Sequence, residues 1–139
     1  MVCKAVNPRK RASQPQVYKS TIAKGATDMA EIYKVGVIGL GGRGYGHIQG
    51  ILTERDDTVV TAVCDVYEDR IENAVKYCKE KKNWDVYGTN DYRELIERDD
   101  VEVVFVFSAW ENHIPAAVYA MEHGKQVAIE VGGAYSLDD

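Results

Sequence analysis

From Ile32 onward, short apolar runs alternate with stretches of helical periodicity, a pattern that predicts parallel strands joined by crossover helices. Tyr33 to Gly39 reads as a first strand, followed from about Gly42 by a helix with Ile48, Ile51 and Leu52 on one face. Thr58 to Cys64 is a second strand closed by Asp65. The next helix puts Ile71, Ala74, Val75 and Cys78 at i, i+3, i+4 and i+7, with Glu72, Lys76, Lys79 and Glu80 on its wet side. A short strand near Asp85 to Tyr87 leads to a helix with Asp91 as its N-cap, Glu94 completing a capping box, and Leu95 and Ile96 on the apolar side. Val101 to Phe107 is the most continuous apolar run and suits a central strand with helices on both faces. Pro115 fits the first turn of the following helix, whose buried stripe is predicted to be Ile114, Ala117, Val118 and Met121, with Gly124 ending it. Gln126 to Glu130 is a fifth strand. Gly132-Gly133 then turns the chain, and Ser136 reads as the start of a further helix. The fold class is α/β, a doubly wound parallel sheet.

Composition adds little to that reading: 139 residues with 45% hydrophobic and 28% charged residues suit one soluble unit with a real core. No apolar stretch is long enough to span a bilayer, and no secretory signal opens the chain, so the cytoplasm is the expected compartment and no membrane partner is expected. Cys3, Cys64 and Cys78 lack metal-ligand spacing, and the last two fall at apolar positions, as buried free thiols would. Charge changes the picture more. The first 28 residues carry six bases against Asp28, whereas the whole chain has a net charge of −5, so the body is strongly acidic. Pro8 and Pro15 break any long amphipathic helix, and residues 1–28 read as a disordered extension or the product of an upstream start. An acidic body also argues against a nucleic-acid partner.

The chemistry concentrates where the first strand meets Gly39-Leu-Gly41-Gly42-Arg43-Gly44. A Gly-x-Gly-x-x-Gly between strand and helix is the dinucleotide fingerprint in its working context. Gly39 permits the tight turn, Gly41 admits a pyrophosphate close to the backbone, and Gly44 lets helix and strand pack closely. Phosphate would meet unpaired N–H groups at the helix start, the dipole adding only about 0.3 to 1 kcal/mol. Arg43 either reaches a phosphate or ribose oxygen or stays a solvated surface arginine. Asp65 follows Gly44 by 21 residues, where a ribose-binding carboxylate belongs. It would repel a 2′-phosphate, each pair of unit charges costing roughly 4 kcal/mol before screening at about 4 Å and an effective dielectric of about 20, which favours NAD over NADP. Val66 and Tyr67 bring no cation to reverse that choice; Arg70 is the nearest, a turn into the helix.

Ligands of open α/β sheets lie outside the carboxyl ends of the strands. There the fourth strand delivers Ser108-Ala109-Trp110-Glu111-Asn112-His113 and the fifth Glu130-Val131-Gly132. Trp110 could pack on the nicotinamide or its ribose, and Asn112 and His113 could donate hydrogen bonds. His113 has core packing or capping as an equal alternative, whereas His47 and His123 read as helix-surface residues. No Ser-His-Asp order, zinc spacing or closely placed carboxylate pair is convincing, and no catalytic residue is assigned.

Taken together, the glycine loop at 39–44, Asp65, the Ser-Ala-Trp-Glu-Asn-His loop at 108–113 and Ala-Met-Glu-His-Gly-Lys-Gln-Val-Ala-Ile-Glu-Val at 120–131 resemble the Gfo/Idh/MocA family, the glucose–fructose oxidoreductase and inositol dehydrogenase type. The resemblance covers residues 32–139. It implies a Rossmann domain for NAD(P), here residues 29–139, followed in the family by a second α/β domain that binds a sugar-like substrate and mediates homo-oligomers, which this sequence lacks. Many family dehydrogenases read Glu-Lys-Pro after the fifth strand, the lysine assisting proton transfer; Glu130-Val131-Gly132 departs from that. Together with the Trp-Glu-x-His loop, it looks more like the NAD-dependent glycosidase branch typified by α-N-acetylgalactosaminidases. By that resemblance Gly42, Arg43, Asp65, Trp110, Glu111, Asn112, His113, Glu130 and Val131 would line the NAD site. In that branch, bound NAD oxidises C3 of the sugar, the C1 substituent is eliminated, water adds and the cofactor is regenerated. The expected function is thus the NAD-binding domain of an oxidoreductase acting on a sugar or cyclitol hydroxyl. A redox-neutral glycosidase is the alternative, and a non-catalytic NAD-sensing module a third reading.

Overall fold

Five strands rich in β-branched residues form one parallel sheet in the order β3-β2-β1-β4-β5 in the computed structural model, which describes residues 31–136. The strands are β1 (Tyr33–Ile38), β2 (Thr58–Cys64), β3 (Tyr87–Thr89), β4 (Val103–Val106) and β5 (Gln126–Ile129). The helices are α1 (Gly42–His47), α2 (Glu68–Lys82), α3 (Tyr92–Ile96) and α4 (His113–Glu122). The chain runs outward from β1 to β3, then returns to build β4 and β5 on β1's other side, so the strand order reverses between β1 and β4. In a doubly wound sheet that reversal opens a crevice at the carboxyl ends of the two central strands. The predicted basic extension, Cys3 and the helix beginning near Ser136 lie wholly or mainly outside the described residues. No described helix is long and apolar enough to cross a membrane.

The core has two halves, one on each face of the sheet. Val37, Leu40, Ile48, Val63, Ile71 and Cys78 lie on the α1/α2 side, and Ile38, Leu95, Ile96, Val104, Ala116 and Ala120 on the α3/α4 side. Each Val or Ile removed from water there contributes about 1.5–3 kcal/mol. Between Val35 and Gly36 the β1–β2 register shifts by one residue, Thr61 being left over on β2. Its hydroxyl donates to the carbonyl of Asp100 at 2.6 Å, which satisfies the bulged residue.

The structure corrects four predicted details. Ile51 is 46% exposed although Ile48 and Leu52 are buried. Residues Ile48–Leu52 form a π-helical turn, Thr53 N–H donating to the Ile48 carbonyl. This wider winding turns less per residue, carrying Ile51 off the face while returning Leu52 to it. On α4 the buried stripe is His113, Ala116, Ala117 and Ala120, leaving Val118 and Met121 exposed and Ile114 half-buried. The alanines let α4 approach the sheet and α3 closely, a rotation that periodicity alone does not distinguish. Asp91 does cap α3 by accepting from Arg93 N–H at 2.9 Å. Glu94, however, does not close a capping box. It accepts from the Thr89 hydroxyl at 2.6 Å, and that hydroxyl accepts from Asp91 N–H at 3.1 Å, so Thr89 relays the contact. Finally, β3 starts at Tyr87 rather than Asp85, because Asn83 ends α2 in the left-handed conformation and residues 83–86 return the chain to the sheet. On β4, Val104 and Val106 are fully covered, but Phe105, and Phe107 just past the strand, are only half-buried, so burial is more complete on one face than the other.

Cys64 and Cys78 are buried free thiols. Burial pushes Cys64 up to about 12, with the Asp65 charge adding to it, and Cys78 up to about 11. A thiol pKa raised by folding favours the neutral form. Its stabilisation is complete below the ordinary thiol value of 9.0 and is lost as pH rises from there toward the raised values. Both thiols should therefore resist iodoacetamide at pH 8 in the folded protein and react on unfolding, as read by peptide mapping; rapid native labelling would contradict this burial.

Candidate functional site

The turn after β1 is shaped by two glycines. Gly39 has φ +88°, and a Cβ there would lie 2.5 Å from the Phe107 carbonyl carbon and Ser108 nitrogen, so the turn presses on the end of β4. A Cβ on Gly44 would come within 1.8 Å of the Gly39 carbonyl oxygen, so only glycine lets α1 start this close to the strand. Gly41 differs: a Cβ there would meet nothing nearer than Arg70 Nη1 at 3.9 Å, leaving open space along the cleft. A Cβ on Gly42 would meet nothing within 4 Å.

That cleft, about 570 Å³, lies over the carboxyl ends of the strands and is lined by Gly39, Gly41, Asp65, Arg70, Ser108 and Asn112 among others. Asp65 is 7% exposed at the end of β2. One carboxylate oxygen accepts from Leu40 N–H at 2.6 Å, and the other from Tyr67 N–H at 3.0 Å. The carboxylate thus ties the glycine loop to the start of α2. The N-cap of α2 is Tyr67, so Asp65 supports the helix start without occupying the cap position.

Arg70 is closer than its place in the sequence suggests. Because α2 begins at Glu68, Arg70 lies in its first turn, Nη1 is 3.5 Å from Asp65, and the guanidinium stacks over the Tyr67 ring with Cζ 4.5 Å from the centroid. A cation therefore does flank Asp65. Asn90 and Tyr92, past the end of β3, also line the cleft and belong to no motif. Their signal is positional: they follow a strand's carboxyl end, where ligands of such sheets bind.

Of the other predicted residues, Asn112 lines the large cleft, Arg43, Glu130 and Val131 line a second depression, and Trp110 and Glu111 lie on the loop between β4 and α4. Trp110 is 59% exposed and lies against Gly132, where a Cβ would be 3.6 Å from the indole, so the loops after β4 and β5 meet. Glu111 and Asn112 complete a single 3₁₀ turn with Trp110. His113 is 1% exposed and reaches neither depression; its Nε2 lies 2.9 Å from the Ser108 carbonyl, which makes Nε2 the protonated donor. Nδ1 is buried without a partner. Of the two sequence alternatives, the structure has His113 packed beneath the loop.

Arg43 points away from the large cleft. It forms a fork with Glu130, Nε and Nη2 lying 3.0 and 3.1 Å from the two carboxylate oxygens, and Val131 N–H donates to the same side chain. The Arg43 hydrogen bond, with help from Val131, holds the Glu130 carboxyl below the usual range. Arg43, Glu130 and Val131 line a depression of about 210 Å³ together with His47 and Phe107. His47 is half-buried, its ring 4.5 Å from that of Phe107, whereas His123 is exposed as predicted.

The family model described as "Oxidoreductase family, NAD-binding Rossmann fold" matches residues 33–131. Curated relatives include a "Glycosyl hydrolase family 109 protein 1" of Bacteroides thetaiotaomicron, 36% identical over 98% of this chain and 29% of its own length. Another is an "Alpha-N-acetylgalactosaminidase" of Shewanella oneidensis, 35% identical over 92% of this chain and 28% of its own. This chain thus spans less than a third of the length of these relatives. Among solved structures, the myo-inositol dehydrogenase of Lactobacillus casei in complex with NAD(H) and myo-inositol superposes with a TM-score of 0.69 at 28% identity, over 77% of this chain and 30% of that one.

Proposed function

The chain belongs to the Gfo/Idh/MocA oxidoreductase family as its NAD-binding Rossmann domain, and we propose that the large cleft holds the adenosine and pyrophosphate of the dinucleotide. The observation that carries this reading is the Asp65 carboxylate, bonded to Leu40 and Tyr67 N–H groups at the cleft wall. A carboxylate offers about four lone-pair sites, so two backbone bonds leave room to accept from two ribose hydroxyls. The open space beside Gly41 fits a pyrophosphate, which would meet N–H groups at the start of α1. Ser108, Trp110, Glu111 and Asn112 would border the nicotinamide end, with Glu130 and Val131 on its far side. His113 holds the carbonyl of Ser108 and acts as a positioning residue. Arg43 acts through Glu130, orienting that carboxylate and the Val131 N–H. NAD is the preferred form because Asp65 is buried beside the ribose position.

The bound cofactor supplies reversible two-electron oxidation at a carbon bearing a hydroxyl. This chain's residues bind and orient it and exclude water from one side; none is assigned as acid or base. In a protein of its relatives' length, the substrate would be a sugar or cyclitol. The L. casei neighbour, described in complex with NAD(H) and myo-inositol, supports that class. Glycoside cleavage without net oxidation is a second reading, favoured by the names of the two relatives and by Val131, which cannot carry a proton. Release of the aryl group from an aryl α-N-acetylgalactosaminide without NADH accumulation would select it; net NADH from a free sugar or cyclitol would select the dehydrogenase.

The cofactor assignment itself is tested on this chain by competition. ADP-ribose, which keeps the adenosine and pyrophosphate but not the nicotinamide, should displace NAD from the folded protein. NAD binding that ADP-ribose leaves unchanged would contradict the assignment of the large cleft.

A further inference from the structure

We propose that Arg70 sets how strongly this site discriminates between NAD and NADP, by offering the 2′-phosphate a cation beside the carboxylate that would otherwise repel it. The inference rests on the cofactor assignment above and deepens it. A buried Asp65 alone would reject a 2′-phosphate, because two anions would share one wall of the cleft. Arg70 offsets that charge from close by, its Nη1 3.5 Å from Asp65 and within the cleft lining.

The guanidinium is also not committed to the carboxylate. Charge-assisted N–H···O bonds are commonly about 2.7–2.9 Å. Arg98 makes such a fork with Asp100 at 2.7 and 2.8 Å, and Arg43 a slightly longer one with Glu130. Arg70 stands farther from its acid and makes one contact in place of a fork. The guanidinium sits over the Tyr67 ring, a contact that uses none of its N–H donors, and the side chain is 44% exposed. Arginine's planar set of five donors suits an oxyanion. The positions also divide the work: with NADP, Asp65 would accept from the remaining 3′-hydroxyl while Arg70 donates to the 2′-phosphate on the same ribose. NAD stays preferred because Asp65 is buried and fixed by two backbone bonds, but NADP is admitted.

The same guanidinium lies near Gly41, so a role at the pyrophosphate shared by both cofactors is the rival explanation. Calorimetric titration of NAD and NADP into the native chain, Arg70→Ala and Arg70→Lys separates the two. Native protein should bind NADP within about tenfold of NAD. Arg70→Ala should weaken NADP at least about tenfold while moving NAD less than about threefold, and Arg70→Lys, which keeps charge but not the fork, should recover part of the loss. NADP binding should also fall more steeply with salt than NAD binding in the native protein, and that difference should shrink in Arg70→Ala. Equal weakening of both cofactors, or native protein that binds NAD but not NADP, would overturn the inference while leaving the cofactor assignment standing. A folded native chain that binds neither would overturn both. The NAD arm and a melting curve identify a variant that has failed to fold, and in that event the salt comparison on native protein and Arg70→Lys decides.

Discussion

Replacing Gly44 by alanine is expected to produce the largest loss of stability of any single methyl added at a described glycine. The added Cβ would sit 1.8 Å from the Gly39 carbonyl oxygen and 3.0 Å from its carbon. Both are backbone atoms of a turn already pressed against the end of β4, so no side chain can rotate aside. Overpacking typically costs about 1–3 kcal/mol and occasionally more. With a backbone carbonyl that cannot step aside and the Phe107 Cβ 3.3 Å away, the cost should reach at least about 3 kcal/mol, a fall of roughly 10 °C or more in the melting temperature. Gly46→Ala is the matched control: it lies in the same helix, nothing is within 4 Å of the added Cβ, and alanine should stabilise the helix by about 0.5–1 kcal/mol. Thermal denaturation followed by circular dichroism reads both. Equal melting temperatures for the two variants would show that α1 does not need its close approach to β1.

Asp65→Asn should have the largest effect on binding. The two carboxylate oxygens accept from different backbone donors, Leu40 N–H and Tyr67 N–H. An amide has one oxygen, so whichever way the substituted side chain is turned, its NH2 faces a donor and one of the two N–H groups loses its acceptor. The glycine loop or the start of α2 must then shift, and the charge facing the ribose is gone. Hydrogen bonds to charged groups are worth about 1.5–3 kcal/mol, so NAD affinity should drop by roughly 10- to 100-fold. Calorimetry on the folded variant measures this. An unchanged NAD dissociation constant would remove Asp65 from the ribose site.

These two positions are legible in the sequence for a physical reason: the tight turn and close helix approach demand glycine, and the ribose hydroxyls of NAD call for an acid at the end of the second strand. The doubly wound parallel class follows from the alternation of apolar runs and helical periods. Features set by side-chain reach are harder to read. Arg70 is visible only as a charge a turn away, because its distance from Asp65 depends on α2 starting at Glu68 and on the stack over Tyr67. The Arg43–Glu130 fork joins residues 87 apart along the chain and carries no local signal. The rotation of α4 escapes a periodicity in which alanine and valine weigh alike, whereas the face that packs is the one carrying the small side chains of Ala116, Ala117 and Ala120. Ile51 is misplaced by the same reasoning, because a π-helical turn has no sequence mark that a 3.6-residue period would detect.

The central claim is that this chain binds NAD in the cleft walled by Asp65. Titrating NAD calorimetrically into the folded 139-residue chain tests it most directly. The predicted result is saturable binding at one site per chain, weakened by Asp65→Asn. A folded sample that gives no saturable heat would contradict it.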